Sequence, residues 1–241
     1  MTEKVLTLVI CFGGGLIQGL SGFGFAMFVM FFIPFIMPLK VAAIVTGLQT
    51  FFMGTYVVAK FRKHINYKIA VVPLVSSLVL VPIGVRFLVF GDEHVLKKIL
   101  GVTIVVISIF LYIKGKKEIK IKTNVKNGIL AGSLSGIMSG MFNVGGPPLV
   151  VYYLYGTKDR LSYKATLEFS FLTRSIMIVI MHAIYGNING NILTFALYGG
   201  AGTIVGNLLG LSMFQKINSK LLHRIVILLM FILGCLLIIR K

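Results

Sequence analysis

The sequence predicts an all-α polytopic membrane protein of two homologous halves, each a Gly-rich broken or re-entrant helix followed by three transmembrane helices. Three observations predict it. Apolar segments of spanning length follow one another along nearly the whole chain. Two of these segments carry glycine, proline and amide residues that an ordinary spanning helix avoids. The glycines of the first half recur in the second at a constant offset.

Composition sets the frame. Of 241 residues, 57% are hydrophobic and only 12% charged, with a mean hydropathy of +0.98, which excludes an ordinary soluble domain. The net charge of +18 is not a nucleic-acid signature, because the basic residues sit in short loops between apolar segments. Six acidic residues leave little material for a hard-cation cage, and Cys11 and Cys235 stand isolated near opposite ends of the chain, so no metal, cofactor or disulfide framework is expected. The MTEK start has neither a strongly basic region nor a small-residue cleavage site and reads as the beginning of a retained membrane segment.

Taken in order, an uncharged run from Val5 to Leu39 contains GGGLIQGLSGFGFAM. It is too long for one span and barely long enough for two, since a span needs roughly 17–25 residues. Apolar segments follow at about 41–59, 69–90, 95–113, 127–155, 165–185, 192–214 and 221–239. The fourth of these, from Asn127 to Thr157, is again too short for two spans and a turn. Within it Gly128, Gly132, Gly136 and Gly140 share one helix face, open to a close helix neighbour. Asn143, Gly145, Gly146, Pro147 and Pro148 then predict a helix break at membrane depth, the pattern of substrate sites in secondary transporters.

Gly15, Gly19 and Gly24 match Gly136, Gly140 and Gly145 at an offset of 121, and Gly22 falls opposite Asn143. Further on, Lys40 matches Lys164, and His64-Ile65-Asn66 resembles Asn187-Ile188-Asn189. These offsets divide a single membrane domain, 1–241, into repeats of about 1–118 and 119–241. If each Gly-rich run crosses once, the inside loops hold 13 Lys and Arg and the outside loops nine; if each dips in and returns, the counts are 16 and six. The positive-inside rule favours the second arrangement, in which 60–68, 114–126, 158–164 and 216–224 are cytoplasmic. Each half then spans an odd number of times, so the two are inverted.

The runs GGGLIQGLSGFGFAM and SGMFNVGGPPLVVYYL resemble the TauE/SafE family of sulfite exporters, and the likeness extends over the whole chain, its GGPP step, Gly145 to Pro148, being the most specific part. The resemblance implies an integral, multi-pass permease of the cell membrane for a small sulfur-containing or organic anion. Its partners would be that anion, membrane lipid and a coupling proton or ion. Alternating access between the repeats is the expected mechanism; a passive anion channel and a structural subunit of a larger assembly are the alternatives.

Among single residues, Arg174 is the sharpest. A cation near mid-span costs from about 2.5 kcal/mol upward unless it faces a partner or a cavity. An in-helix pair with Glu168 is geometrically poor, because six residues place them about 240° apart. Asn143, with the backbone of Gly145 and Gly146 and the half-helix beginning near Pro147, offers neutral donors to an anion. Gly22, Gly24, Gln18 and Gln49 are the corresponding candidates in the first half, while Thr173 and Asn207 are further polar residues in apolar segments. Glu168 reads as a hydrated helix end or a proton-coupling carboxyl, His182 as a packed histidine or a proton relay, and Arg86 as a cation snorkelling to the interface. No nucleophile–base constellation or phosphate loop is present, so an enzyme is not expected.

Overall fold

The computed structural model describes residues 2–116, 122–213, 227–228, 231–232 and 234–239. The expected inside loop 216–224 and residues 117–121 of the basic loop 114–126 lie outside the described residues, as does part of the last apolar segment, 221–239. Every regular element among the described residues is helical. In order they are α1 (Thr2–Ser21), α2 (Phe25–Phe32) with a 3-10 turn at Ile33–Phe35, α3 (Leu39–Phe61) with a 3-10 turn at Arg62–His64, α4 (Tyr67–Phe90), α5 (Glu93–Lys116), α6 (Val125–Phe142), α7 (Gly146–Gly156), α8 (Arg160–Ile184) and α9 (Gly190–Met213). By length and composition α1, α3, α4, α8 and α9 are able to cross a membrane.

Local chemistry sets the boundaries. Asn66 and Asn189, the two matching Ile-Asn steps, each accept a backbone N–H three residues on and so begin α4 and α9. Asn124 does the same for α6, and Asp159 accepts from both Leu161 and Ser162 at the start of α8. α1 and α6 end alike. Gly22 follows α1 at φ 84° and Asn143 follows α6 at φ 59°, each with its N–H bonded to the carbonyl four residues back. A left-handed residue at this place closes a helix, and glycine and asparagine adopt it at least cost.

Close approach of backbones organises the packing. A Cβ at Gly15 would strike Thr203, and one at Gly19 would strike Asn207 and Gly210, while Gly202 and Gly206 lie against Leu8 and Phe12. α1 and α9 therefore run parallel, glycine stripe to glycine stripe. Likewise Gly132, Gly136 and Gly140 of α6 meet Pro73, Ser77 and Val81 of α4, again in parallel. Between these pairs α3 and α8 cross antiparallel, with Gly47 against Ile178, Gly54 against Leu172 and the Asn66 N–H bonded to the Thr166 hydroxyl at 2.9 Å. Small residues let such backbones meet where lipid supplies no hydrophobic drive.

The two short helices fold back. Gly13 and Gly14 of α1 pack on Phe28, Phe25 and Val29 of α2, and Gly24 lies on Ile17. α7 returns along α6, bringing Gly156 beside Thr123 and the Tyr152 hydroxyl to the Asn124 carbonyl. Outward, α4 exposes Val71, Val75, Val79 and Phe87 at helical spacing, an apolar face suited to lipid. Pro73 and Pro82 lie within that helix.

Candidate functional site

α8 carries an unusual set of buried polar groups: Lys164, Glu168, Ser170, Arg174, Ser175 and His182 are all at most 2% exposed. The Arg174 guanidinium is held by backbone. Its Nε donates to the Ser170 carbonyl at 3.2 Å. Its Nη1 donates to the carbonyls of Gly145 and Ser135, at 3.3 and 3.4 Å, and to the Ser135 hydroxyl. Ser135 in turn donates to the Gly145 carbonyl. The face of Phe171 lies 5.2 Å from the guanidinium carbon. Among the described residues no carboxylate pairs with Arg174 and Nη2 has no hydrogen-bond partner.

Arg174 borders a cavity of about 30 Å³ at the tips of the two folded-back helix pairs. Gln18, Gly24 and Phe25 line it from one pair, Ser139, Asn143 and Gly146 from the other. By the usual volume criterion the space holds about two waters. Gln18 ties it to α2 and α8: its carbonyl oxygen accepts the Phe25 N–H at 3.0 Å, and its Nε2 donates to Glu168 Oε1 at 2.9 Å. Asn143 ties it to α3, donating from Nδ2 to the Ala43 carbonyl at 2.8 Å. One helix start, one fixed cation and two side-chain amides converge here, a donor-rich arrangement suited to negative charge.

The structure brings Arg174, Asn143, Gly146, Gly24 and Gln18 together at one cavity. Gly145 stands just behind it, its carbonyl serving Arg174, and Pro147 is buried in the first turn of α7. Other candidates lie elsewhere or are already engaged. Gln49 does not line the cavity: it is buried toward α1 and α9, accepting from the Cys11 thiol at 3.2 Å beside Gly199, and its Nε2 has no hydrogen-bond partner among the described residues. Gly22 packs on the Lys164 side chain, because its left-handed turn directs the backbone toward α8. Asn143 is no wholly free donor, since the turn that ends α6 aims its amide at Ala43. Glu168 is not a hydrated helix end but fully buried. His182 packs apart from the cavity, 3.4 Å from the Asn187 amide. Arg86 is exposed on α4. Thr173 bonds to its own helix, and Asn207 lies buried between α9 and α1.

Three residues at the site escaped the sequence reading. Lys164 counts there as a loop cation but is fully buried, its Nζ donating to the Gly19 carbonyl at 2.7 Å. Its i,i+4 spacing to Glu168 was the available signal. Ser135 and Ser139 sit inside the glycine stripe of α6, and Ser139 is 121 residues from Gln18, the offset that relates the glycines.

A model of the sulfite exporter TauE/SafE family matches residues 6–237, nearly the whole chain. The chain belongs to this family. As a member it is an integral membrane transporter, in agreement with its apolar helices. Comparison with curated proteins and with solved structures returned no match.

Proposed function

We propose that this TauE/SafE protein carries a small anion, a sulfur oxyanion or an organic sulfonate, by alternating access between two inverted repeats, with the anion bound where the two helix tips meet. The single observation that carries the reading is the buried Arg174, which lines the cavity and, among the described residues, lacks both a carboxylate partner and a hydrogen bond at Nη2. A lone buried cation is costly, and a bound anion offsets that cost. Gln18, Asn143 and the start of α7 supply neutral dipoles around it.

Packing supports the repeats. Exchanging α1 with α6, α9 with α4, and α3 with α8 maps the parallel α1–α9 contact onto the parallel α6–α4 contact. α3 and α8, equivalent under that exchange, pack antiparallel on each other, as inverted halves require. α2 packs back on α1 and α7 on α6, an arrangement in keeping with the dip-and-return count of 16 inside and six outside. The cavity then lies on the seam between the halves, where rocking of one against the other exposes it to alternate sides.

The test is a binding screen of sulfite, thiosulfate, methanesulfonate and acetate on purified protein, followed by tracer flux in liposomes. Saturable uptake stimulated by the same anion on the far side identifies a carrier, whereas a channel lacks that trans-stimulation. Binding of cations alone overturns the proposal.

A further inference from the structure

We infer that Glu168 is a proton site coupled to the anion cavity, so that the protein moves a proton together with each anion; the inference rests on the anion reading above. Glu168 has no exposed surface. Its Oε1 accepts from Gln18 Nε2 at 2.9 Å, while Oε2 is buried and has no hydrogen-bond partner among the described residues. An ionised carboxylate with one oxygen orphaned in so dry a place is expensive, and a proton on Oε2 removes that charge. The unpartnered oxygen is the place for it. The proton comes from water on the side to which the site is open and returns to water on the other; no other bond is made or broken.

Gln18 is the physical link. One side chain touches both sites, its Nε2 on Glu168 and its body lining the cavity beside Asn143 and Arg174, with its oxygen fixed by the Phe25 N–H. From α8 itself Lys164 and Tyr163 face Glu168; from α1 only the neutral Gln18 does, and among the described residues no other ionisable group faces it from a packed element. Lys164 Nζ donates to the carbonyls of Gly19 and Gln18, at 2.7 and 3.3 Å, near the negative end of α1.

The charges define the coupling. With the cavity empty and Glu168 ionised, Lys164, Arg174 and Glu168 sum to +1 − 1 + 1, a net +1. A monoanion arriving alone would meet the Glu168 carboxylate next to its own site. With a proton on Glu168 the three sum to +2, and the anion restores +1. The empty and doubly loaded proteins thus bury equal charge, whereas either ligand alone changes it. Linkage is reciprocal: as the proton favours the anion, the anion favours the proton.

Calorimetry of methanesulfonate binding to the purified full chain, in buffers of different ionisation enthalpy, counts the protons taken up per anion. Methanesulfonate stays fully ionised, so it contributes none itself. Wild type is expected to take up about one proton per anion where Glu168 is otherwise ionised, its affinity falling tenfold per unit rise in pH there. E168Q should take up none and bind with the same affinity at every pH. E168D should keep the proton with its pH midpoint displaced. Methanesulfonate bound by wild type without proton uptake overturns the coupling and leaves the anion site standing. So does an E168Q protein that still takes up a proton. If neither methanesulfonate, thiosulfate nor sulfite binds to wild type, the anion reading itself fails and the coupling with it.

Discussion

Replacing Arg174 by Gln separates a charge that recognises substrate from one that clamps the fold. Nε and Nη1 already serve the carbonyls of Ser170, Ser135 and Gly145, so the edge left for an anion is Nη2. One charge-assisted hydrogen bond is worth about 1.5–3 kcal/mol, so R174Q should weaken anion binding roughly ten- to hundredfold. The stability effect is smaller. The Gly145 and Ser135 carbonyls lose long bonds of 3.3 and 3.4 Å, but Gly145 keeps the Ser135 hydroxyl. Against that loss, removing a buried cation recovers a desolvation cost of about 2.5 kcal/mol or more. R174K should fall between wild type and R174Q, because it keeps the charge without the planar fork. Anion titration calorimetry together with size-exclusion and thermal melting of the same samples reads both quantities. If R174Q binds within twofold of wild type, or if it unfolds while R174K does not, the residue is a clamp and not an anion ligand.

Four further outcomes test the architecture. Gly140→Ala would place a Cβ 2.8 Å from the Val85 nitrogen and 2.9 Å from the Gly84 Cα, so it should cost about 1–3 kcal/mol of thermal stability. Gly190→Ala, with nothing within 4 Å, should leave the melting temperature unchanged or raise it slightly. Asn143→Gly and Asn143→Ala both lose the Ala43 bond, but only glycine keeps the φ of 59° without strain, so the glycine variant should be the more stable by about 1 kcal/mol. With Cys11 and Cys235 both changed to Ala, single cysteines at Thr157 and Asn187 should react with an impermeant reagent from opposite sides, Asn187 from outside. Reaction from a single side would defeat the inverted arrangement.

The sequence showed its glycine spacing and its proline break plainly, because both act through the backbone and so depend on residue type and position alone. The offset of 121 relates Gly22 to Asn143, and these two residues share a left-handed turn at the ends of α1 and α6. Burial was harder to see. Lys164 and Glu168 lie within the first three turns of α8, where a helix considered alone meets water. What buries them is the end of α1, nearly 150 residues distant, and no pattern local to α8 announces it. The placing of Gln49 was hidden for the converse reason. Its place within an apolar segment was legible, but which of two packed surfaces it faced depended on α1 and α9.

The parallel contact of α1 with α9 also bears on how the molecule is made. Leu8 meets Gly202 and Phe12 meets Gly206, partners about 194 residues apart. A ribosome adding about 5–20 residues each second needs on the order of ten seconds or more to produce that distance. Throughout this interval the glycine-lined face of the first helix has no mate, whereas α6 finds α4 already synthesised. The nascent protein must therefore shelter α1, in the insertion machinery or against a provisional neighbour, until the second half arrives. Substitutions along Gly15 and Gly19 should accordingly appear as late assembly defects, with insertion proceeding normally and proteolytic clearance following only once α9 has emerged.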